Sequence, residues 1–113
     1  MKKFKLDLSE YEVAVGDGGK LEAYPLKDNL HQWLRFPGTF NNGVEICDAC
    51  DIAKRIKQAN DELILDEYEI GLLRTTMNKL IAQDHNPSRG IMALGGSVHE
   101  EAIRRVFRPE KVD

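Results

Sequence analysis

The sequence predicts an α+β fold: an N-terminal antiparallel β-hairpin or meander over residues 2–24, followed by a small bundle of three or four helices over residues 26–108. Up to Tyr24, apolar and polar residues alternate, which is the period of a half-buried strand. From Leu26 onwards, apolar residues recur every three or four positions, which is the period of an amphipathic helix. The 113 residues contain no repeat or linker, so we expect a single domain spanning residues 1–113.

Two runs of alternating apolar residues predict the first two strands: Phe4, Leu6 and Leu8, then Tyr11, Val13 and Val15. The phase shifts between the runs, so we expect a bulge or bend at Ser9-Glu10. The glycine-rich residues 16–19 predict a hairpin turn, and residues 20–24 form the returning strand. Pro25 ends that strand because proline has no N–H for a ladder.

Three helices are predicted next along the chain. The first covers residues 26–36 and ends at Pro37-Gly38. The second covers residues 44–60, and its apolar stripe comprises Ile46, Ala49, Cys50, Ala53, Ile56 and Ala59. The third begins at Asp66, because Asp66 and Glu69 have the spacing of a capping box. Leu65 and Ile70 flank that box as a hydrophobic staple would, and Leu73, Met77, Leu80 and Ile81 continue the same face.

The C-terminal region predicts one more helix. Residues 84–90 have the composition of a loop. Ser97 and Glu100 have the spacing of a second capping box, and Glu100–Arg104 and Glu101–Arg105 are i,i+4 pairs in the favourable order. Arg108-Pro109 ends the helix, and we expect residues 110–113 to fray.

The overall charge gives no general attraction to nucleic acid or to anionic membranes, because the net charge is −3. We expect no signal peptide and no membrane-spanning segment, since no apolar run follows the charged start. Two cysteines without an export signal favour free thiols in a reducing, cytoplasmic setting.

Cys47 and Cys50 form the one motif that suggests metal or redox chemistry. A zinc site needs four ligands, and the chain has no second CxxC to supply them. A redox dithiol needs a lowered thiol pKa, which the flanking Glu45, Asp48 and Asp51 oppose. The favoured interpretation is that both cysteines are small packed residues one helical turn apart, with zinc binding or thiol redox chemistry as the alternative.

Arg104, Arg105 and Arg108 form a basic cluster that could contact phosphates as part of a nucleic-acid-binding module. Glu100 and Glu101 lie one turn before two of these arginines, which favours a solvated, self-paired helix face instead. Apart from Phe107, no aromatic residue is interleaved with these arginines, whereas base stacking uses a series of aromatic side chains.

The aromatic residues Trp33, Phe36 and Phe40 cluster at the end of the first helix and in the loop after it. Such a cluster is most often a seal of the core. The alternative is a protein-binding patch, because aromatic side chains are favoured interface anchors.

The remaining polar residues predict no catalytic, cofactor-binding or metal site. His31, His85 and His99 have no partner at a recognisable motif spacing. Gly95-Gly96-Ser97 resembles an anion-binding helix start but lacks the lysine of a phosphate-binding loop. The central acids do not follow the calcium-loop spacing: Asp61, Glu62, Asp66, Glu67 and Glu69.

The order of features over residues 24–81 resembles small phage- and prophage-encoded proteins of unknown function. The resemblance is carried by the segments 24–30, 53–56 and 59–66, together with Glu69. It brings no catalytic residues, and it implies expression inside a bacterial host and a role in phage assembly or host interaction. We therefore hypothesise a non-enzymatic protein–protein interaction module without a cofactor, which binds a protein partner or self-associates in the cytoplasm of that host.

Overall fold

The computed structural model describes residues 2–15, 18–83 and 97–112, and it confirms the predicted α+β class. The strands are β1 (Lys3–Asp7), β2 (Glu12–Val15), β3 (Lys20–Ala23), β4 (Glu62–Asp66) and β5 (Glu110–Val112). The helices are α1 (Leu26–Leu34), α2 (Gly43–Gln58), α3 (Glu67–Gln83) and α4 (Glu100–Phe107), and a 3₁₀ turn at Ser97–His99 leads into α4. The expected loop at 84–90, Gly95-Gly96 and the first two residues of the hairpin turn lie outside the described residues.

The N-terminal strands divide between two antiparallel sheets. The predicted hairpin of β2 and β3 is confirmed, with Val13 opposite Glu22. β1 does not extend this hairpin into a meander, because it lies between β4 and β5 in a separate sheet. In that sheet Leu6 lies opposite Leu63 of β4 and Lys5 lies opposite Glu110 of β5.

The bend expected at Ser9-Glu10 is where the chain leaves one sheet for the other. The Ser9 backbone N–H and hydroxyl both donate to Asp7 Oδ1, at 2.9 and 2.6 Å. This local turn offers the backbone an alternative to the sheet ladder. The change of phase therefore marks a change of sheet, and alternation alone did not reveal it.

The expected fraying of the C-terminus is wrong for residues 110–112, and Asp113 lies outside the described residues. Glu110–Val112 forms β5, and Val112 lies opposite Lys3 of β1. Lys5 supports the pairing with a 3.0 Å ion pair to Glu110. A three-residue strand carries little signal of its own, so its neighbour in the sheet decides its conformation.

The core lies between the inner face of the β4-β1-β5 sheet and the helices. The predicted stripe of α3 is confirmed, since Ile70, Leu73, Met77 and Leu80 are all buried. On α2 the prediction holds for Ala49, Ala53 and Ile56, which are buried together with Ile52. It is wrong for Ile46, whose side chain is 47% exposed.

The α3 capping box is confirmed atom by atom. The Glu69 N–H donates to Asp66 Oδ1 at 2.8 Å, and the Asp66 N–H donates to Glu69 Oε1 at 3.0 Å. Leu65 and Ile70 on either side are fully buried. Glu69 also pairs with Arg55, which fastens the start of α3 to α2.

We predict that Asp66→Ala lowers the free energy of unfolding by about 1 kcal/mol, because the Glu69 N–H loses its acceptor. Asp66→Asn is the matched control, since asparagine caps a helix about as well as aspartate. Urea unfolding followed by circular dichroism measures both variants. Equal losses in the two variants would contradict a capping role for this side chain.

Candidate protein-binding site

An apolar surface surrounds the connection between α1 and α2, and we call it the α1–α2 patch. Its members are Phe36, Phe40, Val44, Ile46, Cys47 and Cys50. Val44 is 70% exposed, and Phe36 and Phe40 are half-buried. Exposed apolar side chains that adjoin one another are uncommon on surfaces that stay solvated, and they favour a contact with another molecule.

A hollow of about 120 Å³ opens in the middle of the patch. Phe36 and Phe40 of the connecting loop line one side of it, and Ile46 and Cys50 of α2 line the other. The loop that holds the two aromatic rings turns at Gly38, whose φ of +85° favours glycine. The hollow is large enough for one branched aliphatic side chain and too small for a cofactor.

The start of α2 holds Val44 and Ile46 at the surface. Asn42 caps the helix by accepting the Glu45 N–H at 2.9 Å. Val44 and Ile46 both fall in the first turn beyond this cap, and both side chains are exposed. The sequence carried a partial signal for this exposure, because Val44 lies outside the apolar stripe of α2.

Trp33 belongs to the core and not to the patch. It is 3% exposed, and its ring meets the His99 ring edge-on with 5.8 Å between centroids. His99 Nδ1 in turn lies 2.6 Å from the Tyr24 hydroxyl, and burial raises the pKa of Tyr24. Of the predicted aromatic cluster, Trp33 therefore seals the core, while Phe36 and Phe40 reach the surface.

Cys47 is exposed and Cys50 is half-buried in the wall of the hollow. The described part of the chain contains no group of three or more histidine, cysteine, aspartate or glutamate side chains arranged to bind a metal ion. The packing interpretation fits Cys50 better than Cys47, which contacts solvent. Zinc binding or redox chemistry at this pair stays a prediction.

Arg104, Arg105 and Arg108 border a cleft of about 430 Å³ beside the β4-β1-β5 sheet. Four basic and five acidic side chains line it, so the cleft presents no surplus of positive charge to a phosphate backbone. Arg104 contacts Glu100 at 2.7 Å, as the i,i+4 spacing predicts. Nucleic-acid binding stays a prediction that this mixed charge does not favour.

Arg105 has a structural role that the sequence did not reveal. Its side chain is only 10% exposed and contacts Glu101 at 2.8 Å. Its Nη1 donates to the carbonyls of Asp7 and Ser9, at 3.2 and 2.8 Å. The guanidinium also lies 4.4 Å from the centre of the Tyr11 ring. Arg105 thus holds the bend between β1 and β2 against α4.

Three of the central acids have structural partners. Asp66 and Glu69 form the capping box, and Glu62 lies 3.6 Å from Lys5. The Tyr68 hydroxyl, which no sequence pattern marks, donates to Asp48 at 2.7 Å. This hydrogen bond, together with nearby carboxylates, raises the pKa of Tyr68 to about 12.

None of the helices in residues 2–15, 18–83 and 97–112 has the length and apolar character needed to cross a lipid bilayer. No protein-family model matches the chain, and comparison with curated proteins and with solved structures likewise gives no match.

Proposed function

We propose that this protein is a non-enzymatic interaction module that binds another protein through the α1–α2 patch. The observation that carries this proposal is that Ile46, which is 47% exposed, lines a hollow together with Phe36 and Phe40. Val44, at the start of the same helix, is 70% exposed. Interface hot spots commonly consist of an apolar side chain that fills such a pocket and is surrounded by further apolar contacts. We expect the partner to insert an aliphatic side chain between Phe36 and Phe40.

We further propose that the protein is phage- or prophage-encoded and acts in the cytoplasm of a bacterial host, in assembly or in host interaction. The likeness of residues 24–81 to small phage proteins supports this proposal, and these residues include α1, α2 and β4. The neighbouring genes test it. Virion genes on either side would support an assembly role, and a setting without phage genes would count against it.

The binding role predicts that Val44→Asp and Ile46→Asp remove a captured partner without unfolding the protein. Both side chains are exposed near the start of α2, where an acidic residue is favourable to the helix, so we expect stability to change by less than about 0.5 kcal/mol. The measurement compares proteins retained from bacterial lysate by the wild type and by each variant.

Leu21→Asp is the matched control, because Leu21 is 61% exposed but lies on the β2–β3 hairpin, away from the patch. It should retain whatever the wild type retains. The proposal fails if the wild type captures no protein that Val44→Asp and Ile46→Asp lose.

A further inference from the structure

In the described part of the chain, no strand pairs with the outer edge of β3. The hairpin forms a sheet of only two strands, and all four residues of β3 are exposed. Leu21, in the middle of β3, is one of the most exposed large apolar side chains in the described part of the chain, at 61%. An exposed strand edge offers its N–H and carbonyl groups to another strand, and a two-stranded sheet gains stability from a third.

The hydrogen bonds between β2 and β3 show which residues of β3 direct their backbone N–H and carbonyl groups towards the outer edge. The Tyr24 N–H donates to the Tyr11 carbonyl at 3.0 Å, so Tyr24 directs its backbone groups towards the β2 side. Hydrogen-bonding direction alternates along an antiparallel strand. Lys20 and Glu22 therefore also face β2, and the N–H and carbonyl groups of Leu21 and Ala23 face the open edge.

The charges of β3 are symmetrical about Leu21. Lys20 precedes it and Glu22 follows it, both on the same face of the hairpin. If a second β3 pairs antiparallel about a two-fold axis at Leu21, each Lys20 lies opposite the partner's Glu22. An axis at Lys20 or at Glu22 would instead place like charges directly opposite each other, which is destabilising.

We propose that two copies of this protein associate through β3, edge to edge, about a two-fold axis at Leu21. The Leu21 N–H of each copy donates to the carbonyl of the partner's Leu21, and two Lys20–Glu22 pairs flank this centre. The result is a four-stranded sheet in the order β2-β3-β3-β2, with an isologous interface. The contact is short, so the dimer is a weak one that forms at high protein concentration. This self-association uses a different surface from the α1–α2 patch and does not depend on it.

Cysteine cross-linking tests the position of the axis. In a Cys47→Ser/Cys50→Ser background, Leu21→Cys places two thiols on residues whose Cα atoms are about 5.5 Å apart in a hydrogen-bonded pair, within the range of a disulfide. Ala23→Cys is the matched control, because Ala23 is also exposed and also faces the open edge. With the axis at Leu21, the two copies of Ala23 lie more than about 13 Å apart.

Oxidised glutathione should convert the Leu21→Cys protein into a covalent dimer while the Ala23→Cys protein stays monomeric. Equal cross-linking of the two variants, or faster cross-linking of Ala23→Cys, would overturn the proposed register. Absence of any covalent dimer at millimolar protein concentration would overturn the proposal itself.

A charge exchange tests the same interface without cysteine. Lys20→Glu turns two attractive cross-strand pairs into repulsive ones and should raise the dimer dissociation constant about tenfold. The double variant Lys20→Glu/Glu22→Lys restores both pairs and should restore the wild-type constant. Sedimentation across a concentration series measures all three proteins, and circular dichroism checks that each is folded. A Lys20→Glu protein that associates as strongly as the wild type, or a double variant no better than the single one, would contradict the proposal.

Discussion

Replacing Trp33 by alanine is expected to lower the free energy of unfolding by about 3–5 kcal/mol, the usual range for removing a buried tryptophan. Trp33 is 3% exposed and packs within the core, where its ring lies against His99. Its removal leaves a cavity between α1 and the turn that leads into α4, and packed helices close such a cavity only in part. A domain of this size has roughly 5–15 kcal/mol of stability, so the loss would be a large share of the total.

Urea unfolding followed by far-ultraviolet circular dichroism measures this loss, since Trp33 is the single tryptophan and its fluorescence disappears with it. Phe40→Ala is the control, because Phe40 is half-buried and belongs to the surface patch. It should cost clearly less stability and should weaken capture of the partner. If Trp33→Ala costs no more than Phe40→Ala, the assignment of Trp33 to the core is wrong.

Arg105→Ala is expected to cost about 3 kcal/mol, because it removes a side chain that is only 10% exposed and several groups lose their partner together. The carbonyls of Asp7 and Ser9 lose a charged donor, and Glu101 loses its 2.8 Å contact. Tyr11 loses the guanidinium that covers its ring. Since these groups join α4 to the bend after β1, we expect β1 and α4 to exchange their amide hydrogens faster as well.

Arg104→Ala is the matched control for this prediction. Arg104 also contacts Glu101, but it is 50% exposed and its pairs lie on the helix surface. Surface pairs of this kind contribute less than about 1 kcal/mol. In thermal and urea unfolding, the loss of stability should therefore be severalfold larger for Arg105→Ala than for Arg104→Ala. Similar losses for Arg104→Ala and Arg105→Ala would show that Arg105 is no more than a surface residue.

Arg105→Lys separates the contribution of the charge from that of the guanidinium geometry. A lysine keeps the charge, but it lacks the planar guanidinium, which contacts Glu101 through Nε, reaches the two carbonyls through Nη1 and stacks over an aromatic ring. We therefore expect Arg105→Lys to recover less than half of the stability lost in Arg105→Ala.

Local signals in the sequence predicted most of the secondary structure. The Asp66–Glu69 capping box, the stripe of α3 and the i,i+4 pairs of α4 all depend on residues within one or two turns of each other. The alternation of Phe4, Leu6 and Leu8 likewise gave the buried face of β1 correctly, since these side chains are buried or half-buried.

The candidate site was predicted only in part. Phe36 and Phe40 were recognised from their aromatic character, whereas Val44 and Ile46 were not. Helical spacing places Ile46 in the buried stripe of α2, but Ile46 is exposed and Ile52 is buried. Spacing defines the direction of a side chain around its helix axis, but the neighbouring helices and strands decide whether a side chain in that direction is buried.

The sequence by itself determined where α1 and α3 begin, which faces of β1 and α3 are buried and which charges pair along α4. It did not determine the start of α4, because His99 and not Ser97 precedes that helix and the predicted Ser97–Glu100 box does not cap it. Only the tertiary structure decided that β1 pairs with β4 and β5, that Trp33 is inside while Val44 is outside, and that Arg105 anchors a bend almost a hundred residues away. The physical reason is that alternation and capping act between near neighbours along the chain. The choice of a strand's neighbour or of an arginine's acceptor depends on contacts between distant segments, which form only when the chain has folded.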